Sequence, residues 1–156
     1  MATPNPRLVV GVCEHAHSTA ALRYAAQRAR AGRVDVVAVH VQRAAPPALS
    51  YFDVSGVVRT LDAACEELAF RDTVDVLAGQ APSWRYLSLR GDPARCLAAV
   101  AAEIGAVAIV LGQDRRRSPR FRRTVARALR RGSVPLVLVD TDAQPVPAGG
   151  LRERAA

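Results

Sequence analysis

One short stretch near the start of the chain, Cys13-Glu14-His15-Ala16-His17, brings a thiol, a carboxylate and two imidazoles close together. Two kinds of chemistry suit that set. A thiolate with imidazoles can ligate a transition metal such as zinc. Alternatively, His15 can take the proton of Cys13 and turn the thiol into a nucleophile. Neither spacing matches a recognised signature, and His40 is the one further partner of suitable type. The plainer reading is that His17 precedes a helix cap at Ser18. A thiol at Cys13 close to arginines is also of the kind that becomes redox-sensitive.

A second concentration of chemistry lies further on. Nine arginines fall between Arg115 and Arg131, and no acid occurs between Asp114 and Asp140. Three readings of this run stay open. The guanidinium forks can grip phosphates, form a patch for a polyanion, or coat the solvated face of a helix. In the last case Phe121, Val125 and Leu129 turn inward while Arg120, Arg123, Arg127 and Arg131 face water. No aromatic ladder interleaves the arginines, so nucleic acid is not the expected partner. Asp92 stands directly before Pro93, which makes it a helix cap rather than a catalytic carboxylate. No acid–base pair or nucleophile triad is legible, and an enzyme is not expected.

These groups must be held by regular elements, and the hydrophobic pattern supplies them. Arg7–Cys13, Val34–Val41, Trp84–Arg90, Val107–Gly112 and Pro135–Asp140 read as strands. Near-continuous Val, Ile and Leu in three of them suit strands buried on both faces of a parallel sheet. Trp84–Arg90 alternates and is expected at an edge. Between the strands lie helical stripes: Leu22, Ala25, Ala26 and Ala29; Leu61, Cys65 and Leu68; Cys96, Leu97, Val100 and Ile104; and Phe121, Val125, Ala128 and Leu129. Gly32, Gly79, Gly105 and Gly132 each stand where a helix should stop, as left-handed caps do. Alternation of this kind predicts an α/β fold: one doubly wound domain with right-handed crossovers. Ligands of such sheets bind beyond the carboxyl ends of the strands, where the strand order reverses. That places interest on Cys13–His17, Val41–Arg43, Arg90–Asp92 and Gly112–Pro119.

The chain has 156 residues, half of them hydrophobic, with a net charge of +8 and only arginine among its basic residues. That length suits one domain, expected over residues 7–140. Residues 1–6 and the proline- and glycine-bearing tail 141–156 are expected to be disordered. No apolar run approaches the roughly 18 residues of a membrane span, and Met1–Pro6 lacks a secretory pattern. A cytoplasmic protein without a membrane partner is expected. Cys13, Cys65 and Cys96 form no CxxC pair, so neither a disulfide framework nor structural zinc is expected; Cys65 and Cys96 read as small core residues.

Several short motifs, taken in order, resemble the universal stress protein family. They are Val9-Val10-Gly11-Val12 with Cys13-Glu14-His15 and Ala20–Ala25, His40-Val41, Gly91-Asp92-Pro93, Ile109-Val110-Leu111-Gly112, Thr124-Val125-Ala126-Arg127, and Pro135–Val139. The resemblance spans about Arg7 to Asp140. It implies a five-stranded parallel sheet in the order 3-2-1-4-5 with helices on both faces, a fold of the adenine-nucleotide α-hydrolase type. It also implies a homodimer, and the apolar last strand, Leu136–Val139, offers an unprotected edge for one. Many members bind ATP through an acidic residue closing the first strand and a loop reading G-x2-G-x9-G-[ST] after the fourth. Glycines there let the backbone aim N–H groups at phosphate oxygens.

Carried onto this chain, the site would comprise Val12, Cys13, Val41, Gly112, Gln113, Arg115, Arg123 and Thr124. Three of these depart from the pattern. Cys13 stands at the acidic position, and Arg115 and Arg123 stand where glycines are expected. Side chains there obstruct a close backbone approach, and a left-handed site would be strained by roughly 1 kcal/mol or more. The expected function is therefore a non-enzymatic stress-response regulator or binding module with a degenerate nucleotide site, no cofactor and an unidentified protein partner. One alternative is an ATP-binding member that grips phosphates with arginines, with slow ATP hydrolysis open to it. The other is a polyanion-binding module using Arg115–Arg131. If the last helix starts at Ser118-Pro119, Thr124 lies too deep in it to offer its N–H to a phosphate; if it starts at Thr124, a modified phosphate site survives.

Overall fold

A computed structural model describes residues 5–13, 16–43, 57–113 and 120–141, with residues 16, 57–59 and 120–123 described by their backbone only. Among the described residues, five strands alternate with four helices. They are β1 (Arg7–Val12), α1 (Ala16–Gly32), β2 (Asp35–Gln42), α2 (Val57–Leu77), β3 (Trp84–Arg90), α3 (Pro93–Ile104), β4 (Ala108–Gln113), α4 (Arg120–Arg130) and β5 (Leu136–Asp140). All strands are parallel, in the order β3-β2-β1-β4-β5. The expected sheet is therefore present, with Trp84–Arg90 at one edge and the last strand at the other.

Period-two side-chain direction divides the core into two layers. Leu8, Val10 and Val12 of β1, with Val36, Ala38 and Val110, pack beneath α1 and the end of α2. Val9, Val37, Val39 and Ile109 point the other way, onto α3 and α4 through Leu97, Val100, Val125 and Leu129. Register makes the layers continuous: Val10 lies beside Ala38 and Val110, and Val9 beside Val37 and Ile109. On α1 the stripe Leu22, Ala25, Ala26 and Ala29 is buried as expected, its alanines letting the helix lie close on the sheet.

Helix α2 differs from expectation. Leu61 and Leu68 are 59% and 48% exposed, and Cys65 is only half-buried. The buried face is instead Ala69, Thr73 and Leu77, at four-residue spacing. Thr73 fits there because its hydroxyl donates to the Ala69 carbonyl at 2.7 Å, satisfying the polar group within the helix. Cys96 is likewise half-buried rather than fully inside, and Ala128 of α4 is exposed.

Helix ends also separate the expected stops. Asp92 caps α3, its Oδ1 accepting from the Arg95 N–H at 2.9 Å with Pro93 at the first turn. Such a cap contributes about 1 kcal/mol. Gly105 closes the same helix in the left-handed conformation, φ 63°. Gly79 is also left-handed just beyond α2. Gly32, however, is still helical, and Arg33 carries the left-handed turn at φ 51°. At Gly132 the chain ends α4 with tight bonds to carbonyls three residues back.

A candidate ligand cavity at the strand switch point

β1 is the switch point, since the chain passes from it outward to β2 and later returns on its other side as β4. Beyond the carboxyl ends of these strands lies a cavity of about 400 Å³. Its floor is the side of the sheet that carries α3 and α4: Gly11, Val39, Val41 and Leu111, with Leu97 and Val125 from the helices. Its rim is polar, made by Cys13, His17, Ser18, His40, Gln42, Arg43 and Asp62. An apolar floor with a few convergent polar groups is the usual make-up of a small-molecule site, and the volume lies within the roughly 300–1,000 Å³ of such sites.

Helix α1 starts at Ala16, so Ser18 falls in its first turn rather than before it. Its hydroxyl oxygen reaches back to accept the Cys13 N–H at 2.8 Å. The helical turn also brings the His17 Nε2 to 3.1 Å from the Cys13 Sγ, and the Ser18 Oγ to 3.1 Å from the same sulfur. His17 is 7% exposed. The imidazole partner of Cys13 in the structure is therefore His17. His15, expected in that role, lies outside the described residues. On β2, His40 is buried with its Nδ1 3.2 Å from the Val12 carbonyl. Gln42 donates its amide N–H to the Glu66 carboxylate at 2.5 Å and ties the end of β2 to α2. Among the described residues no buried side-chain nitrogen or oxygen lacks a partner.

Gly112 has a steric role. A Cβ at this position would collide with the backbone carbonyl of His17. The end of β4 and the first turn of α1 thus meet at a spacing that only glycine permits.

Of the residues proposed from sequence, Val12, Cys13, Val41 and Gly112 line this one cavity. Gln113 ends β4 beside Asp140 and is not part of the wall. Arg115 lies outside the described residues, as do Ser118, Pro119 and the loop carrying Pro46 and Pro47. Arg123 belongs to α4, where only its backbone is described. Thr124 is the fifth residue of α4 and exposed, past the turn whose N–H groups remain open to a ligand. Its neighbour Val125 faces the cavity. Near Arg90–Asp92 the wall is made by Pro93. His17, Gln42 and Arg43 line the wall from the strand-end segments expected to hold a ligand, His40 from the end of β2, and Ser18 and Asp62 from outside those segments. Among the described residues, no group of three or more His, Cys, Asp or Glu is placed to hold a metal, and no helix is long and apolar enough to cross a membrane.

Solved structures share this architecture. A universal stress protein in complex with cAMP is 17% identical, with a TM-score of 0.63 over 89% of this chain and 99% of that one. The universal stress protein from Archaeoglobus fulgidus in complex with dAMP is 21% identical, with a TM-score of 0.63 over 88% and 99%. A universal stress family protein from Burkholderia pseudomallei is 20% identical, with a TM-score of 0.66 over 94% and 100%. At these identities the likeness speaks for the fold alone. No curated protein sequence matches the chain. The universal stress protein family model matches residues 4–140, across all five strands and the cavity between them, and the chain belongs to that family.

Proposed function

We propose that this universal stress protein is a non-enzymatic, cytosolic stress-response module whose cavity takes an adenine nucleotide with a short phosphate chain. The observation that carries the reading is the cavity itself, apolar at its floor and polar at its rim, at the switch point of the sheet. A flat heteroaromatic base suits the Val39, Val41, Leu97 and Leu111 surface. Around it, the amide oxygen of Gln42 can accept from a ribose hydroxyl, and the Arg43 guanidinium offers a fork of donors to one phosphate. Relatives of the same fold solved with cAMP and with dAMP support a monophosphate-sized ligand.

The fit is weaker for a triphosphate. A thiol replaces the acidic residue at Cys13, arginines replace two loop glycines at Arg115 and Arg123, and Thr124 is inside a helix. The site is thus degenerate in its phosphate-binding half and retained in its base-binding half. Homodimerisation through the β5 edge and an unidentified protein partner complete the proposal.

Equilibrium binding of AMP, cAMP and ATP, and of a short DNA duplex at two salt concentrations, tests it. AMP or cAMP is expected to bind at least as tightly as ATP, without turnover. ATP binding at least tenfold tighter than AMP and abolished by Thr124→Ala would overturn the degenerate-site reading. Duplex binding that fades steeply with salt would instead support polyanion recognition by the arginine run.

A further inference from the structure

We propose that Cys13 is an oxidant-sensitive thiol, with His17 as its proton acceptor, so that the cavity wall is modified by hydroperoxides. Three observations converge on the sulfur. His17 Nε2 lies 3.1 Å away, the Ser18 Oγ lies 3.1 Å away, and Cys13 borders an open cavity rather than the closed core. The hydroxyl of Ser18 already accepts the Cys13 N–H, which leaves its own proton available to the sulfur. A thiolate at Cys13 would therefore receive two donors, His17 Nε2–H and Ser18 O–H. Burial of His17 fixes the imidazole in place for this contact. Cys96 offers the internal contrast, since its S–H is directed to the Arg90 carbonyl at 3.8 Å rather than to an imidazole.

The step balances with a hydroperoxide as the oxidant. Cys13 passes its proton to His17 Nε2, and the thiolate attacks the terminal oxygen of the hydroperoxide. An Sγ–O bond forms as the O–O bond breaks. Sulfur is oxidised by two electrons to a sulfenic acid, and the leaving oxygen takes the proton from the imidazolium to become an alcohol or water. The product places an oxygen in the cavity wall between Val12 and His17, where any bound ligand would meet it. Among the described residues, the other titratable or charged groups around the cavity are His40 and Arg43 from the end of β2, and Asp62 and Cys65 from α2. This chemistry does not depend on the nucleotide reading, and either can fail without the other.

The test uses the full chain, with site-resolved mass spectrometry of all three cysteines after brief exposure to iodoacetamide or hydrogen peroxide across a pH series. Cys13 is expected to react about tenfold faster than Cys96 near neutral pH, with its rate profile displaced to lower pH. His17→Gln should return the profile toward that of an ordinary thiol, and Ser18→Ala should do so in part. Coincident profiles for Cys13 and Cys96 in the unaltered protein would overturn the proposal, whether or not the variants fold. A Cys13 profile unmoved by a folded His17→Gln variant would overturn the role of His17.

Discussion

Gly112 and His17 meet backbone to backbone, and nothing larger than hydrogen can stand between them. Gly112→Ala must therefore push β4 away from the first turn of α1. Overpacking of this kind costs about 1–3 kcal/mol. The expected result is a melting point lowered by several degrees together with weakened nucleotide binding, readable by calorimetry and titration. An unchanged melting point would mean the two backbones separate without cost. The cavity's glycine was visible in the sequence, but its reason was not. Family resemblance associates that glycine with a phosphate, whereas here its immediate neighbour is a carbonyl of the chain itself. His17 was visible as one of two imidazoles near Cys13, but its contact with the sulfur was hidden for a related reason. Its closeness to Cys13 exists only because α1 starts at Ala16, and helix starts are the least legible feature of a sequence.

At the level of elements, α2 shows both what patterns reveal and what they conceal. Its existence and direction followed from helical spacing, but its buried face did not. Leucine outranks alanine and threonine in any hydrophobicity count, so Leu61 and Leu68 drew attention away from Ala69 and Thr73. Small residues win at this contact because a helix lying tightly on its neighbours has no room for longer ones. The same helix meets β3 through Phe70 and Tyr86, whose rings stack edge to face at 5.1 Å. Tyr86 also donates its hydroxyl to the Glu66 carbonyl at 3.4 Å. Its phenol is pushed up from 10.0 to about 12, first by burial and then by the Glu66 carboxylate. Above pH 10 the unfolded chain loses this proton while the folded chain keeps it. Stability from this group is therefore whole below about pH 10 and is lost as pH rises through about 12. Urea midpoints measured between those limits should fall more steeply for the unaltered protein than for Tyr86→Phe. Parallel slopes would place the alkaline loss elsewhere.

For the molecule as a whole, the strand order leaves two edges of different character. β3 mixes half-buried and exposed residues and carries Arg85 and Arg90, whereas β5 presents five half-buried residues, four of them apolar. A half-covered apolar edge favours pairing with a second copy. Sedimentation equilibrium at micromolar concentration is expected to give a dimer, and Leu138→Lys should shift it to monomer. A monomeric unaltered protein would refute pairing at this edge. The parallel sheet was legible because runs such as Val9–Val12 and Ile109–Leu111 announce strands covered on both faces, whereas the order of its strands was implied only by the family resemblance.

Placing β1 between β2 and β4 also sets an order of assembly. Cys13, His17 and Ser18 are close in the chain, so docking α1 on β1 is enough to bring them together. The cavity floor and the Gly112 contact await β4, which arrives only after two further strands and the helices between them. Closing that long loop costs more entropy than bringing together neighbours in the chain. A chain emerging from the ribosome would thus form its thiol–imidazole pair well before the pocket around it, and would pass through an interval in which the sulfur has its partners but not its shelter.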